Sequence, residues 1–380
     1  MHLGCRSEGM YIGRPRRRRS RPGRVLLLLV LDLVLIGLGY YIFTQQPQWV
    51  RPFEPTPTPT RTAASYVEEG DRYYANGQMD AAIEAYEQAL LLEPDNAEVL
   101  AKQARLLAWE GESEKAVQRA QQALEREPDN ASMEATMCMV LDWAGQVDEA
   151  IKHGLRAVDL DPDLPEAYAF LAEAYTDKGR ADKGWETIQK ALELDGGNLI
   201  VLRTAGYVLE SQGKYKQAVE YYQKALEVHP KWVLLHLSLA RNYLLLKDKD
   251  NALARLKAAL AIAPNNPHVL DQVGWAYYSL QDYELAEANL QRAIELDPTY
   301  APAYGHLGVV YYVQRNYESA ITHLEKAIAL GLDSVEYYYE LGLSYAYLGQ
   351  CDQGVPWLEK ALERDPYAEP ALQGLRLCGK

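Results

Sequence analysis

The sequence predicts an all-α protein, a solenoid of nine helix pairs that follows one apolar N-terminal helix. Three observations support this fold class. Small residues recur at two fixed positions of a 34-residue frame, and one stretch near the N-terminus is almost entirely apolar. Seven turn prolines fall on a lattice with the same period of 34 residues: Pro94, Pro128, Pro162, Pro230, Pro264, Pro298 and Pro366.

Residues 25–43 form the apolar stretch, and Asp32 is their only charged residue. A helix of this length spans about 28 Å, close to the thickness of a bilayer core. Asp32 costs about 2.5–3.5 kcal/mol near the bilayer centre, whereas the apolar side chains contribute roughly −4 to −8 kcal/mol. We therefore predict a transmembrane helix rather than a cleaved signal peptide, since the stretch is long and lacks an Ala-x-Ala site. Asp32 is either a tolerated charge or a contact with another membrane subunit.

The flanking charges predict the orientation of this helix. Eight Arg residues precede it, and only Arg51 and Arg61 follow it closely. The positive-inside rule then places residues 1–24 in the cytoplasm as a basic tail and the rest of the chain outside the cytoplasm. Residues 44–62 form a Pro/Thr-rich linker, for which we expect extended polyproline geometry.

Charge is distributed unevenly along the chain. Residues 1–62 have a net charge of +7, whereas residues 63–380 carry 29 basic and 50 acidic side chains, a net charge of −21. Such an acidic body repels phosphate backbones, so we expect no nucleic-acid partner. Hydrophobic residues make up 48% of the chain and charged residues 24%, which is typical of a folded protein.

The 34-residue frame fills residues 63–368, and residues 369–380 remain as a predicted capping helix. The eighth position of each repeat is always small, the eleventh is Leu or Tyr, and the twenty-seventh is always Ala. Small residues let two antiparallel helices approach closely, and the larger ones fill the space between them. Gly marks the turn inside five of the pairs, and Lys247 replaces it in the sixth.

This pattern resembles the tetratricopeptide repeat family. The resemblance implies a right-handed superhelix with a concave groove lined mainly by the first helix of each pair, and a protein or peptide partner in that groove. Aromatic rings beside Arg suit contact with a peptide or a glycan. The Lys and Asn set by which some cochaperones of the family clamp a carboxylate is not matched. At the inward positions implied by the family, repeats five to nine supply Arg203, Tyr207, Arg241, Trp275, Tyr278, His306, Tyr312, Tyr339 and Glu340.

Motifs for catalysis or cofactor binding are absent from the sequence, which lacks GxxxxGK[ST], HExxH, GxSxG and CxxC patterns. His268, Asp271 and His306 could approach one another on neighbouring helices, but a clear fourth metal ligand is missing. We therefore predict no enzymatic activity, no cofactor and no metal site.

The cysteines differ in their expected roles. Cys138 occupies a small core position of the third repeat. Cys351 and Cys378 lie on elements that should pack side by side outside the cytoplasm, where a disulfide can persist. The pair is therefore either a bridge that pins the capping helix or two buried thiols.

Together these features predict a single-pass protein of the cell membrane that acts as a scaffold or adaptor. Its extracytoplasmic groove would hold a protein partner in envelope assembly or secretion. Two alternatives remain open. One is a glycan-handling module of an exopolysaccharide or cell-wall export system, and the other is an accessory subunit of a membrane complex with Asp32 in a subunit interface.

Overall fold

The computed structural model describes residues 22–45 and 61–380. The predicted basic tail before Pro22 and most of the predicted Pro/Thr-rich linker, residues 46–60, lie outside the described residues. The N-terminal helix and the repeat region from Arg61 to Lys380 belong to two separate units.

A single apolar helix runs from Pro22 to Gln45. Pro22 suits the first turn of a helix, because a backbone N–H has no helical partner there. An 18-residue window within Gly23–Gln45 has a mean hydropathy of 2.5 and is not buried by the rest of the protein. Asp32 is exposed like its neighbours. By length and composition this helix could cross a membrane.

Nineteen helices follow in the repeat region, and residues 22–45 and 61–380 contain no β-strand. The predicted all-α solenoid of nine helix pairs with a C-terminal helix is confirmed. The first helices are Ala63–Ala75, Ala97–Trp109, Ala131–Trp143, Pro165–Asp177, Leu199–Ser211, Val233–Leu245, Pro267–Ser279, Ala301–Val313 and Val335–Tyr347. The second helices are Met79–Leu92, Ser113–Arg126, Val147–Leu160, Ala181–Asp195, Tyr215–Val228, Lys249–Ile262, Tyr283–Leu296, Tyr317–Ala329 and Cys351–Arg364. The last helix is Glu369–Leu377.

The residue before a first helix often caps it. In five repeats a side-chain oxygen at this position accepts a hydrogen bond of 2.8–3.4 Å from a backbone N–H of the first turn. These bonds satisfy donors that the helix itself leaves free. The turn prolines predict where the repeats meet, and these cap residues carry a second signal of the same period, which the prediction from the prolines does not include. The cap residues are Thr62, Asn96, Asn130, Asn198 and Asn266.

Close packing within each pair depends on the small residue at the eighth position. A Cβ atom on Gly274 would lie 2.7 Å from Cγ of Leu290 in the second helix of the same repeat. In the third repeat the sizes are exchanged, since a Cβ atom on Gly154 would lie 2.9 Å from the Cys138 sulfur. The Ala residues at the twenty-seventh position are at most 1% exposed. The predicted frame therefore describes the core correctly.

The turn inside each pair needs one residue with a positive φ. Gly supplies it in six repeats, including Gly77 of the first, whereas Lys247, Gln281 and Arg315 adopt φ values of 62°, 64° and 61°. Only Lys247 is predicted from the sequence as a departure, whereas the turns without glycine run through repeats six to eight. The left-handed conformation costs a non-glycine residue about 1–2 kcal/mol. Packing of the helix pair must therefore stabilise the chain reversal there.

Some repeats that are distant in sequence also contact one another. We call the contact formed by Tyr74, Trp109, His229 and Trp232 the inter-turn contact. His229 Nε2 lies 3.0 Å from the backbone oxygen of Tyr74. The rings of Trp109 and Trp232 pack with their centroids 4.7 Å apart. The end of repeat five thus lies against repeats one and two. A solenoid in which each repeat contacts only its neighbours would lack this contact.

The C-terminal helix covers the end of the core, as predicted for a capping helix. Ala371 is fully buried, and a Cβ atom on Gly374 would lie 2.7 Å from the Leu358 side chain. The sulfur atoms of Cys351 and Cys378 are bonded, with 5.5 Å between the two Cα atoms. The bridge links this helix to the second helix of repeat nine.

We expect Cys351 and Cys378 of protein taken from native membranes to resist alkylation until a reductant is added. Closing this loop should stabilise the fold by roughly 3–4 kcal/mol in the chain-entropy model. The alkylation of each cysteine is measured by mass spectrometry after iodoacetamide treatment in denaturant, with and without reductant. Cys138, a buried free thiol, is the internal control because it should react in both samples. Alkylation of Cys351 and Cys378 together with Cys138 in the sample without reductant would refute the bridge.

Candidate binding groove

The residues predicted to line the groove fall into two sets. Those in repeats five and six are engaged in ion pairs and hydrogen bonds with the preceding repeat. Those in repeats seven to nine form a half-buried surface rich in aromatic rings. We call this second set, with Glu340, the aromatic surface: Trp275, Tyr278, His306, Tyr312, Tyr339 and Glu340.

Arg203 belongs to a buried charge network. Only 8% of the residue is exposed, and its guanidinium pairs with the Glu173 carboxylate. It also lies 5.3 Å from the ring centroids of both Trp143 and Tyr207. Trp143 Nε1 donates to the same Glu173 carboxylate at 3.1 Å. The structure thus uses Arg203 to join repeats three, four and five, and a partner could reach little of it.

Asp142 lies beside this network and was missed by the sequence reasoning. Both of its carboxylate oxygens are buried and have no hydrogen-bond partner among the described residues. Burial, followed by the charge of Glu173, raises the pKa of Asp142 well above its usual range. Asp142 and Glu173 occupy different positions of the frame, so their proximity follows only from the way the repeats stack.

Tyr207 and Arg241 are held by carboxylates of the preceding repeat. The Tyr207 hydroxyl donates to Asp177, and the Arg241 guanidinium pairs with Glu210. Glu210 also accepts a hydrogen bond of 2.7 Å from Asn242. Arg241 nevertheless stays exposed, so it can still face a bound molecule.

The aromatic surface is centred on Trp275. Its ring stacks with Tyr278, with centroids 4.5 Å apart and an interplanar angle of 14°. It also stacks with His306 of the next repeat, at 4.3 Å and 20°. Stacked rings of this kind have few alternative rotamers, so they offer contact area at little entropic cost. The structure therefore brings together three of the residues predicted for the groove.

His306 is oriented by a buried carboxylate. Its Nδ1 lies 2.7 Å from Oδ1 of Asp271, and Asp271 has no exposed surface. His268, the third residue of the conceivable metal set, instead places its Nδ1 2.9 Å from the Tyr300 hydroxyl. Asp271 thus fixes the ring that stacks on Trp275, while His268 is engaged elsewhere.

A cavity of about 510 Å³ lies beside Trp275, between the first helices of repeats six and seven. Leu237, Ala240 and Leu244 provide apolar wall, and Arg241 lies at the same cavity. An open concave space with apolar walls and a few polar groups is typical of a binding site. It is continuous with the aromatic surface through Trp275.

Glu340 lies at the other side of the aromatic surface, on the first helix of repeat nine. The residue is 9% exposed, and its Oε2 atom has no hydrogen-bond partner among the described residues. Burial, followed by repulsion from Glu336, raises the pKa of Glu340 to about 8. After burial, the Glu340 carboxylate is the second cause that raises the pKa of both Tyr278 and Tyr339. The carboxylate therefore lies within electrostatic reach of both phenols.

The fold and this surface define a class of protein, an all-α repeat scaffold with an inner face suited to binding another molecule. Models of tetratricopeptide repeats match residues 70–108 and 163–231. The model described as the C-terminal domain of cilia and flagella-associated protein 70, also built of these repeats, matches residues 198–378. The chain is a tetratricopeptide repeat protein. Repeats of this kind form scaffolds for protein–protein interaction, typically without enzymatic activity.

Two curated relatives are similar over short regions. Anaphase-promoting complex subunit 3 of Schizosaccharomyces pombe is 32% identical over 81 residues, which is 21% of this chain and 12% of that protein. The uncharacterized protein ycf37 of Cyanophora paradoxa is 33% identical over 67 residues, 18% of this chain and 39% of that protein. The chain therefore matches only a minor part of each relative.

Solved structures share the fold at low sequence identity. The Cut9–Hcn1 hetero-tetramer of the APC/C has a TM-score of 0.59 and 14% identity, covering 83% of this chain and 75% of that one. The human IFIT1 dimer with PPP-AAAA has a TM-score of 0.54 and 19% identity, covering 79% and 82%. These likenesses support the solenoid architecture alone.

Proposed function

We propose that the chain is an adaptor anchored in the cell membrane by residues 25–43, with its repeats outside the cytoplasm. It would hold a protein partner on the aromatic surface during envelope assembly or secretion. The observation that carries the proposal is the stack of Trp275 with Tyr278 and His306 beside an open cavity. Interface hot spots are enriched in such rigid aromatic residues, with Arg nearby.

The membrane anchor in this proposal rests on the apolar helix Pro22–Gln45 and on the Arg residues before it. An exposed helix of this hydropathy has no stable place in water. Asp32 lies within it, and charged residues inside a membrane span are usually paired with another polar group. We propose that Asp32 contacts a second membrane subunit. Copurification tests this: the subunit should be recovered with the wild type and lost from the Asp32→Leu variant.

Crosslinking in intact membranes tests the groove. With a photoreactive residue at Ser279, an exposed position that lines the cavity beside Trp275, we expect one protein adduct in high yield. The same residue at Lys257, exposed on a second helix, is the matched control and should give little adduct. Mass spectrometry identifies the adduct. A saccharide adduct at Ser279 would favour the glycan-handling alternative, and equal adducts at both positions would argue against a groove partner.

The topology is tested by protease protection. We expect a protease added to intact spheroplasts to digest the repeat region and to leave an N-terminal tag intact, because the Arg residues before the helix hold that end inside. Immunoblotting for the tag measures this. A cytoplasmic protein that stays undigested shows that the spheroplasts are sealed. Digestion of the tag with protection of the repeats would contradict the proposed orientation.

A further inference from the structure

We propose that the aromatic surface binds a cationic side chain of the partner, a guanidinium or an ammonium group, through Glu340 and the tyrosines around it. This inference rests on the proposed function and names the chemistry that the groove recognises. It accounts for a buried carboxylate that lacks a partner within the described residues.

The argument begins with the cost of burying Glu340. A carboxylate that is 9% exposed and lacks a hydrogen bond at Oε2 is strongly disfavoured. Arg203, by contrast, meets its carboxylate inside the protein. Glu340 lies on an inward position of the last repeat, next to surface that is otherwise half-buried. The missing partner of Glu340 can therefore come from outside the chain.

The surroundings of Glu340 select a cation rather than a neutral group. Glu336 repels the Glu340 carboxyl and raises its pKa. The Glu340 carboxyl in turn raises the pKa of four nearby tyrosines, Tyr278, Tyr312, Tyr337 and Tyr339. Aromatic faces attract cations, and a carboxylate accepts charge-assisted hydrogen bonds from them. A neutral sugar could stack on the rings, but it would not supply the opposite charge that favours the ionised form of Glu340. The net charge of −21 over residues 63–380 adds a field that attracts basic segments.

The variant Glu340→Gln keeps the shape of the side chain and removes its charge. It should fold well, because ionising Glu340 in the folded protein opposes stability. The pKa of Glu340 is raised to about 8 in the fold, so the cost grows as the pH rises from the ordinary carboxyl range towards 8. The variant should therefore melt at the wild-type temperature near pH 4 and at a higher one at pH 8.

The test measures binding of matched fluorescent decapeptides to the detergent-solubilised full chain by anisotropy. One pair carries three Arg or three citrulline residues, and a second carries three Lys or three acetyl-lysine residues. Citrulline removes the charge of Arg at nearly the same shape, whereas acetyl-lysine removes the charge of Lys and lengthens the side chain by an acetyl group. We expect the charged member of a pair to bind at least about 10-fold more tightly to the wild type, and Glu340→Gln to abolish that difference. If only the Arg and citrulline peptides differ in affinity, the site prefers a guanidinium group. If only the Lys and acetyl-lysine peptides differ, it prefers an ammonium group.

Glu363→Gln is the matched control, because Glu363 is an exposed carboxylate on the second helix of the same repeat. Measured above pH 8, where Glu340 is ionised, it changes the net charge equally and should leave the preference for charged peptides within twofold. If Glu363→Gln lowers the preference as much as Glu340→Gln, general electrostatics explain the binding and the site is overturned.

Two further outcomes separate this inference from the proposed function. If charged and uncharged peptides bind equally, and both lose affinity in Trp275→Ala, the groove stands and the cation site is wrong. If no peptide binds but a neutral tetrasaccharide does, and Glu340→Gln weakens it, the cation site is wrong and the glycan-handling alternative is favoured. Absence of any peptide binding at millimolar concentration also overturns the inference.

Discussion

Replacing Gly308 by Leu should lower the free energy of unfolding by at least about 1–3 kcal/mol. A Cβ atom at this position would lie 2.6 Å from Cγ of Leu324 and 3.2 Å from the Leu324 backbone nitrogen. A larger side chain must therefore push the two helices of the eighth repeat apart. Gly274→Leu should behave in the same way against Leu290. Urea denaturation followed by circular dichroism measures both effects.

Lys257→Ala provides the control for these two variants. Lys257 is exposed on a second helix, so its removal should change stability by no more than about 0.5 kcal/mol. Equal denaturation midpoints for Gly308→Leu, Gly274→Leu and Lys257→Ala would mean that the eighth position does not lie at the helix contact. Such a result would be incompatible with the structure as well as with the repeat frame.

The double variant Trp275→Ala/Tyr312→Ala should weaken capture of the groove partner by about 2 kcal/mol or more, roughly 30-fold, as for central aromatic hot spots. The Trp275→Ala substitution removes the ring that stacks with Tyr278 and His306. Tyr312 contributes a second half-buried ring from the next first helix. Titration of the partner identified at Ser279 against the purified variants measures the affinity.

Tyr277→Ala separates lost binding from lost folding. Tyr277 occupies the eleventh position, is 7% exposed and packs in the core of repeats six to nine. Its truncation should cost about 3–5 kcal/mol of stability. The double variant should melt much closer to the wild type. If Trp275→Ala alone melts the protein further than Tyr277→Ala does, Trp275 is a core residue and the groove lies elsewhere.

The core could be predicted from the sequence because the same contact between the two helices recurs in each repeat. Gly274 against Leu290 and the Ala of the twenty-seventh position are local contacts within one pair. A period of 34 residues therefore carries the information in full. The exchange in the third repeat, with Gly154 facing Cys138, shows that the contact needs one small partner and is indifferent to which helix provides it.

The buried half of the predicted groove could not be found in this way. Arg203 meets Glu173 and Trp143 from two other repeats. Asp142 becomes buried through stacking of the same repeats. These contacts depend on the rotation from one pair to the next, which no single repeat encodes. Residues at inward positions are therefore candidates for partner binding or for internal bracing, and their hydrogen bonds decide between the two.

Turn residues were a weaker guide than packing. Gln281 and Arg315 adopt the same left-handed conformation as Gly77 and its equivalents. Glycine therefore marks six of the nine inner turns, of which five were predicted from the sequence, and the frame predicts the position of all nine. The cap residues Asn96, Asn130 and their equivalents, in contrast, carry a signal that recurs at the period and could have been used.

The inter-turn contact changes how the solenoid responds to force. A chain of repeats that touch only their neighbours stretches and twists like a spring. The bond between His229 and Tyr74 and the packing of Trp109 on Trp232 tie the two ends of a coil together, so repeats one to five cannot extend without breaking them. Among the described residues, repeats seven to nine make hydrogen bonds to neighbouring repeats and none to repeats one to five. A partner on the aromatic surface would therefore be bound by repeats that can change their relative orientation without breaking the inter-turn contact.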